Sequence, residues 1–183
     1  MSTIGDRAQY WGVTEAERAA TYPCEAHAPE PYRRYLRAVD MDAEPDVIYR
    51  WVCQLKVAPY SYDWLDNWGR QSPRELSAGA DELAIGQRFM IARIVDFEPG
   101  RHITGVSTPG VTRLFGPIAL TYQVGPQRSG SRLIAAMTVG ASSPAGRLRR
   151  ELLGWGDLVM MRKQLLTLKE CAAQSTASRS SAS

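Results

Sequence analysis

Arg88-Phe89-Met90-Ile91-Ala92-Arg93-Ile94-Val95-Asp96-Phe97 is a β-branched and aromatic run that stops at Glu98-Pro99-Gly100. Three runs of the same character follow, at 101 to 107, 111 to 124 and 131 to 139, separated by Pro109-Gly110, Gly125-Pro126 and Ser129-Gly130. Short apolar runs between turn-forming Gly and Pro pair most simply with their neighbours, so this stretch reads as an antiparallel meander. Downstream, Ser143-Pro144 is a cap and first-turn pair, and a helical period continues from it to Ala172 with Leu158, Met161, Leu165 and Leu168 on one face. Gly154 and Gly156 interrupt that helix, and glycine weakens a helix by about 1 kcal/mol relative to alanine, so a kink or break is expected there.

Upstream of the meander, residues 32 to 41 read as a strand with Tyr35, Arg37, Val39 and Met41 on one face and Leu36, Ala38 and Asp40 on the other. Both faces look half covered. Asp42 is then the expected cap of a helix with Pro45 in its first turn and Val47, Ile48, Trp51, Val52 and Leu55 as its apolar stripe. A second helix is expected through Tyr62 to Trp68, ending at Gly69. Residues 1 to 31 read as an arm lying on the domain: Thr14 and Glu17 have capping-box spacing for a short helix at 15 to 20, and Pro23, Pro29 and Pro31 mark an irregular stretch. Residues 32 to 173 form the domain itself, and the serine-rich 174 to 183 reads as a disordered tail. A strand, two helices, a meander and a long last helix make an α+β fold in which a curved sheet wraps the last helix, and such a grip leaves a hollow between the layers.

The composition suits one packed domain. The chain has 183 residues, 44% hydrophobic and 22% charged, with no apolar run near the roughly 20 residues of a membrane helix. Its opening lacks a basic start followed by an apolar stretch, so the expected location is cytoplasmic, with no membrane insertion. A net charge of +3 is far from the concentrated excess of a nucleic-acid binder, and no nucleic-acid partner is expected. Cys24, Cys53 and Cys171 are an odd number with no close pair, which favours reduced thiols. Cys24-Glu25-Ala26-His27 has the spacing of half a zinc site, but no other Cys/His pair completes it, so no metal is expected. There is no phosphate loop, dinucleotide glycine pattern or Gly-Xaa-Ser-Xaa-Gly, and no cofactor is expected.

The order of these segments carries a resemblance. Tyr35-Leu36-Arg37-Ala38-Val39, Asp42-Ala43-Glu44-Pro45, Trp51-Val52-Cys53-Gln54-Leu55 and Tyr60-Ser61-Tyr62-Asp63-Trp64-Leu65-Asp66-Asn67, followed by the final helix, resemble the SRPBCC superfamily over residues 32 to 173. That superfamily includes START-like, Bet v 1-like and polyketide cyclase/dehydrase proteins. The resemblance implies a helix-grip fold around an apolar cavity for polyketides, lipids or other hydrophobic small molecules, and it fixes no reaction.

Candidate site residues come from side-chain chemistry. Asp63 and Asn67 fall four residues apart on one side of the expected helix, where they can place a carboxylate and an amide at a cavity mouth, and Trp64 offers a flat apolar face. The alternative is that Trp64 anchors the helix and Asp63 is solvated. The phenols of Tyr60 and Tyr62 can hydrogen-bond a ligand carbonyl or wedge the loop against the sheet. Arg93 shares an expected strand face with Phe89, Ile91, Val95 and Phe97, and a charge there needs a ligand anion, an internal carboxylate or an outward turn. Arg113 is a second such arginine. His102 is the imidazole able to exchange a proton near neutral pH if it faces inward, and strand alternation sets it with Thr104, opposite Ile103. Tyr122, Met161 and Leu165 complete the expected lining. Three readings remain: a cofactor-free cyclase or dehydratase using Asp63, Arg93 and His102, a non-catalytic carrier of a hydrophobic ligand, and an interaction module with a collapsed cavity. They differ in whether polar side chains converge inside.

Overall fold

The computed structural model describes residues 9 to 60, 72 to 140 and 144 to 180, with the side chains of 144 to 153 and 177 to 180 excepted. One seven-stranded sheet organises it: β1 (Tyr10–Trp11), β2 (Tyr32–Met41), β3 (Arg88–Phe89), β4 (Ala92–Glu98), β5 (His102–Ser107), β6 (Ile118–Pro126) and β7 (Ser131–Gly140). Their spatial order is β1-β2-β7-β6-β5-β4-β3. The meander from β3 to β7 is antiparallel as expected, β7 returns beside β2, and β1 adds a short parallel edge.

Four helices complete the described chain: α1 (Glu15–Ala19), α2 (Pro45–Cys53), α3 (Pro109–Phe115) and α4 (Pro144–Ser180). α1 has the expected capping box, in which Thr14 and Glu17 satisfy each other's backbone N–H groups. α2 has Pro45 in its first turn, but its cap position is Glu44 rather than Asp42. Asp42 instead lies 3.1 Å from Lys169 of α4. The expected helix through Tyr62 to Trp68 lies outside the described residues.

Three expected elements are corrected, the first being the run from 88 to 97, which Met90-Ile91 turns back on itself as the antiparallel pair β3 and β4. Residues 111 to 124 do not form one strand, because Pro109 opens α3 and Gly116 closes it at φ 88°, leaving β6 to start at Ile118. Val111, Leu114 and Phe115, spaced three and four residues apart, are the helical signal inside that run. α4 also runs unbroken through both glycines and on to Ser180, past its expected end at Ala172. Gly154 is there for a close approach: a Cβ at that position would lie 2.5 Å from Cε1 of Tyr35 on β2.

Pairing registers fix two faces. Tyr35, Arg37, Val39 and Met41 of β2 share a face with Met137, Ala135 and Leu133 of β7, with Leu120, Tyr122 and Val124 of β6, and with Ile103 of β5. α2 and α4 pack on this inner face, where Trp51, Leu55, Leu165, Leu168, Cys171 and Ala172 are sealed. The outer face carries Leu36, Ala38, Ala119, Ile134 and Ala136, and the arm covers it with Tyr22 and Cys24. Cys24 donates its backbone N–H to Thr121 Oγ1 at 2.9 Å, and that hydroxyl meets Thr104 Oγ1 at 2.8 Å. Arg132 of β7 clamps α1 through Glu17 at 2.7 Å and also holds Asp40 at 2.8 Å. Both faces of β2 are therefore covered, one by helices and one by the arm.

Candidate ligand-binding site

A turn and a β-bulge decide which residues share a face with the arginine of β4: Met90-Ile91 reverses the chain, so Phe89 of β3 pairs with Ala92 and Arg88 with Arg93. Ile94 pairs with Gly105 while Asp96 pairs with Thr104, so Val95 is an extra residue and the alternation reverses across it. Ala92, Ile94 and Phe97 face inward, and Arg93, opposite Val106, faces outward. Arg93 is exposed and donates to the Gly86 carbonyl at 2.9 Å, so it does not share a face with Phe89. Alternation is interrupted twice in this run, by the turn at Met90-Ile91, which parts Arg93 from Phe89, and by the bulge at Val95, which parts it from Phe97.

His102 lies on the outer face with Thr104, its Nε2 2.8 Å from Asp96 Oδ2 and its Nδ1 3.9 Å from Glu98 Oε2. It lines a cleft of about 560 Å³ at the rim of that face, with Pro23, Pro45, Arg101 and Gln123 among the other walls. Arg113 is exposed on α3. Tyr62, Asp63, Trp64 and Asn67 lie outside the described residues.

Of the expected set, Tyr60, Tyr122, Met161 and Leu165 meet on the inner side. The Tyr122 hydroxyl is 2.5 Å from Gln164 Oε1 and 3.4 Å from the Met161 sulfur, and burial holds its pKa well above the ordinary tyrosine value. Gln164 in turn donates to the Pro59 carbonyl, and its Nε2 lies 3.3 Å from the Met90 sulfur. Tyr60 wedges the loop after α2: its phenol accepts from Gln54 at 2.9 Å and its ring meets Trp51 edge-on at 5.8 Å. Tyr60 and Met90 both adopt left-handed backbone, at φ 55° and 51°, and bulky residues hold that conformation only where the surroundings impose it. The hydrogen bond to Pro59 and the Met90 contact both converge on Gln164, so this glutamine ties both irregular segments to α4.

The charged pair inside is one that the sequence reading did not single out. Arg37, 1% exposed, lies on the inner face of β2 with Nη2 3.0 Å from Asp157 Oδ2 on α4. Its guanidinium also donates to the carbonyls of Gln9 at 2.7 Å and Leu36 at 3.0 Å, and sits over the Tyr35 ring. Burial lowers the Arg37 pKa and pushes the Asp157 carboxyl up to about 6, with Arg37 opposing the latter shift. A signal for both was present. Arg37 interrupts an apolar strand face, and Asp157 falls on the helical stripe that runs through Met161 and Leu165. A charge on an apolar face needs a partner, and Arg37 rather than Arg93 is the arginine in that position.

The three thiols are packed rather than reactive. Burial raises Cys24 to about 11 and Cys53 to about 12, and raises Cys171 as well.

Solved structures share this architecture. Norcoclaurine synthase from Thalictrum flavum, in complex with dopamine and hydroxybenzaldehyde, has a TM-score of 0.53 at 12% identity, over 78% of this chain and 87% of its own. Protein MLL2253 from Mesorhizobium loti has a TM-score of 0.51 at 14% identity, over 78% of this chain and 98% of its own. The di-domain ARO/CYC StfQ from the steffimycin biosynthetic pathway has a TM-score of 0.51 at 14% identity, over 80% of this chain and 52% of its own, so this chain spans about half of that protein. No family model and no curated protein matches the sequence.

Proposed function

Because the chain has the helix-grip fold of the SRPBCC superfamily, in which START-like and Bet v 1-like proteins fall, we propose that it binds a hydrophobic small molecule, polyketide- or lipid-like, between the inner sheet face and α4. One observation carries this reading. The second half of α4 is sealed, with Leu165, Leu168, Cys171 and Ala172 at most 1% exposed. The first half keeps Asp157 and Met161 partly exposed on the stripe turned toward the sheet, where Met90 and Met137 are also only partly buried. Apolar and thioether groups left accessible on an inward face are what a small apolar ligand would cover, and flexible methionines adapt to its shape.

Native mass spectrometry of the purified chain tests this. A co-purifying apolar molecule, or saturable uptake of an apolar fluorophore that Met161→Trp reduces, is the expected result. No uptake of any apolar probe by the folded chain would overturn it. Cofactor-free cyclisation or dehydration is the second reading, favoured by Tyr122, Asp157 and Arg37 lying on the same inner side; turnover lost in Asp157→Asn would separate it from simple carriage.

A further inference from the structure

We propose that the Arg37–Asp157 pair is the polar end of this ligand site, and that it selects an uncharged apolar molecule bearing a hydroxyl group, a phenol or an enol, whose O–H donates to Asp157. The inference rests on the binding reading above and adds the chemistry that would recognise the ligand. Three observations lead to it.

The first is direction. Asp157 sits on the inward stripe of α4, one turn before Met161, and its side chain keeps 12% exposure although its partner Arg37 keeps 1%. The arginine is fully enclosed, while the Asp157 side chain is buried but not sealed. The second is bonding capacity. A carboxylate has about four acceptor positions, and here Oδ2 is taken by Arg37 while no hydrogen bond to Oδ1 is present among the described residues. A donor arriving from the ligand would find an ionised acceptor, which makes hydrogen bonds roughly twice as strong as a neutral one.

The third is charge. Arg37 and Asp157 cancel, so the site offers no net positive charge to a carboxylate or phosphate ligand, and Asp157 would repel either. Beside the pair stands Tyr122, whose hydroxyl feels the negative charge of Asp157 across the interior. A neutral hydroxyl therefore fits where an anion does not. Among the described residues, the ionisable groups in electrostatic contact with Asp157 are Arg37 from β2 and Tyr122 from β6; Tyr35 lies beneath Arg37, and Arg162 of α4 is turned over the Trp11 ring.

The test compares 2-naphthol with its methyl ether, 2-methoxynaphthalene, in fluorescence titrations of the full chain at pH 7.5. The two probes share a ring and differ in the donor. The expected result is at least a tenfold tighter Kd for 2-naphthol in the wild type. In Asp157→Asn that ratio should fall to within twofold, because a side-chain amide can donate to the ether as well as accept from the hydroxyl. At pH 4.5 the wild-type ratio should fall in the same way, because a protonated carboxyl also donates while 2-naphthol keeps its proton at both pH values. The pH arm needs no variant, so it decides the matter if Asp157→Asn does not fold. Equal binding of both probes by the wild type, or a ratio unchanged by the substitution and by pH, overturns the role of Asp157 and leaves the binding reading standing. Failure of both probes to bind at all overturns the binding reading itself.

Discussion

The two faces of β2 are covered in different ways. On the outer face Leu36 and Ala38 lie under the arm, closed by apolar contacts, by neutral hydrogen bonds such as that from Cys24 to Thr121, and by the half-buried Arg132–Glu17 pair. On the inner face the same strand buries Arg37 against Asp157, among thioethers and a tyrosine hydroxyl. Neutral packing with satisfied polar groups needs nothing further. A fully enclosed ion pair gains little net stability, since desolvation offsets its attraction, so the sealing of Arg37 at 1% exposure, where Arg132 of the outer face keeps 16%, asks for a use beyond holding the fold.

Removing the cover from the outer face is the strongest way to break this comparison. Deleting residues 1 to 28 exposes Ala38, Ala119 and Ala136 and removes Tyr22 and Cys24 from the outer cluster. Each large apolar group returned to water costs about 1.5 to 3 kcal/mol, and the Arg132 clamp on Glu17 is lost as well. A loss of roughly 5 kcal/mol or more is expected, comparable to the whole stability of an ordinary domain, read as a large fall in the urea midpoint. An unchanged midpoint would mean that the arm is an attachment and that the outer face stands alone.

The inner pair gives the next effect. Arg37→Met keeps most of the volume but leaves Asp157 buried without its cation, a change that typically costs about 3 to 5 kcal/mol. The pH dependence sharpens it. The folded carboxyl is raised to about 6 from an ordinary 3.8, so the folded chain binds the proton more tightly than the unfolded one. The stability this contributes is fully present below about pH 4 and is lost as pH rises through about 6, with a slope of at most about 1.4 kcal/mol per pH unit. In Arg37→Met the carboxyl rises further, so the variant should be much closer to wild type at pH 5 than at pH 8. Urea melts at both pH values check this, and an equal deficit at both would show that lost packing, not an uncompensated charge, is the cause.

On the outer face a single neutral bond has a smaller effect. Thr121→Val keeps shape but removes the acceptor for the buried Cys24 N–H and the partner of Thr104. About 1 to 3 kcal/mol is expected for the unsatisfied donor, without pH dependence between 5 and 8. Thermal melts across that range test the contrast with Arg37→Met.

How much of this was legible in the sequence follows the same division. Periodicity marked β2, the meander and α4 because burial of one face imposes a repeat on the residues that supply it. It also set Met161 and Leu165 on the inward stripe of α4, whereas the face of Tyr122 follows from the register of β6 with β7. It failed where one residue shifts the count: the bulge at Val95 reverses β4, and Pro109 turns the start of an apolar run into α3. The bulge leaves no mark in the alternation, whereas α3 is marked by the three- and four-residue spacing of Val111, Leu114 and Phe115. The pairing of Arg37 with Asp157 joins residues 120 positions apart, and no local pattern states which strand position a helix turn will meet.

The smallest expected effect belongs to Arg93, and it bears most directly on that failure. A charge on an apolar strand face needs a partner, which applies to two arginines, and the turn at Met90-Ile91 with the pairing of Arg93 to Val106 decides between them. Arg93 is exposed and bonded to the Gly86 carbonyl at the sheet edge, where a surface substitution changes stability by about 0.5 kcal/mol or less. Arg93→Met should therefore leave the melting temperature and the 2-naphthol affinity within error of wild type, while Arg37→Met disturbs both. If Arg93→Met weakens probe binding as much as Arg37→Met does, then Arg93 does not pair with Val106 in this register and the inner face includes Arg93. The polar end of the site would then have to be rebuilt around the sheet edge rather than around α4.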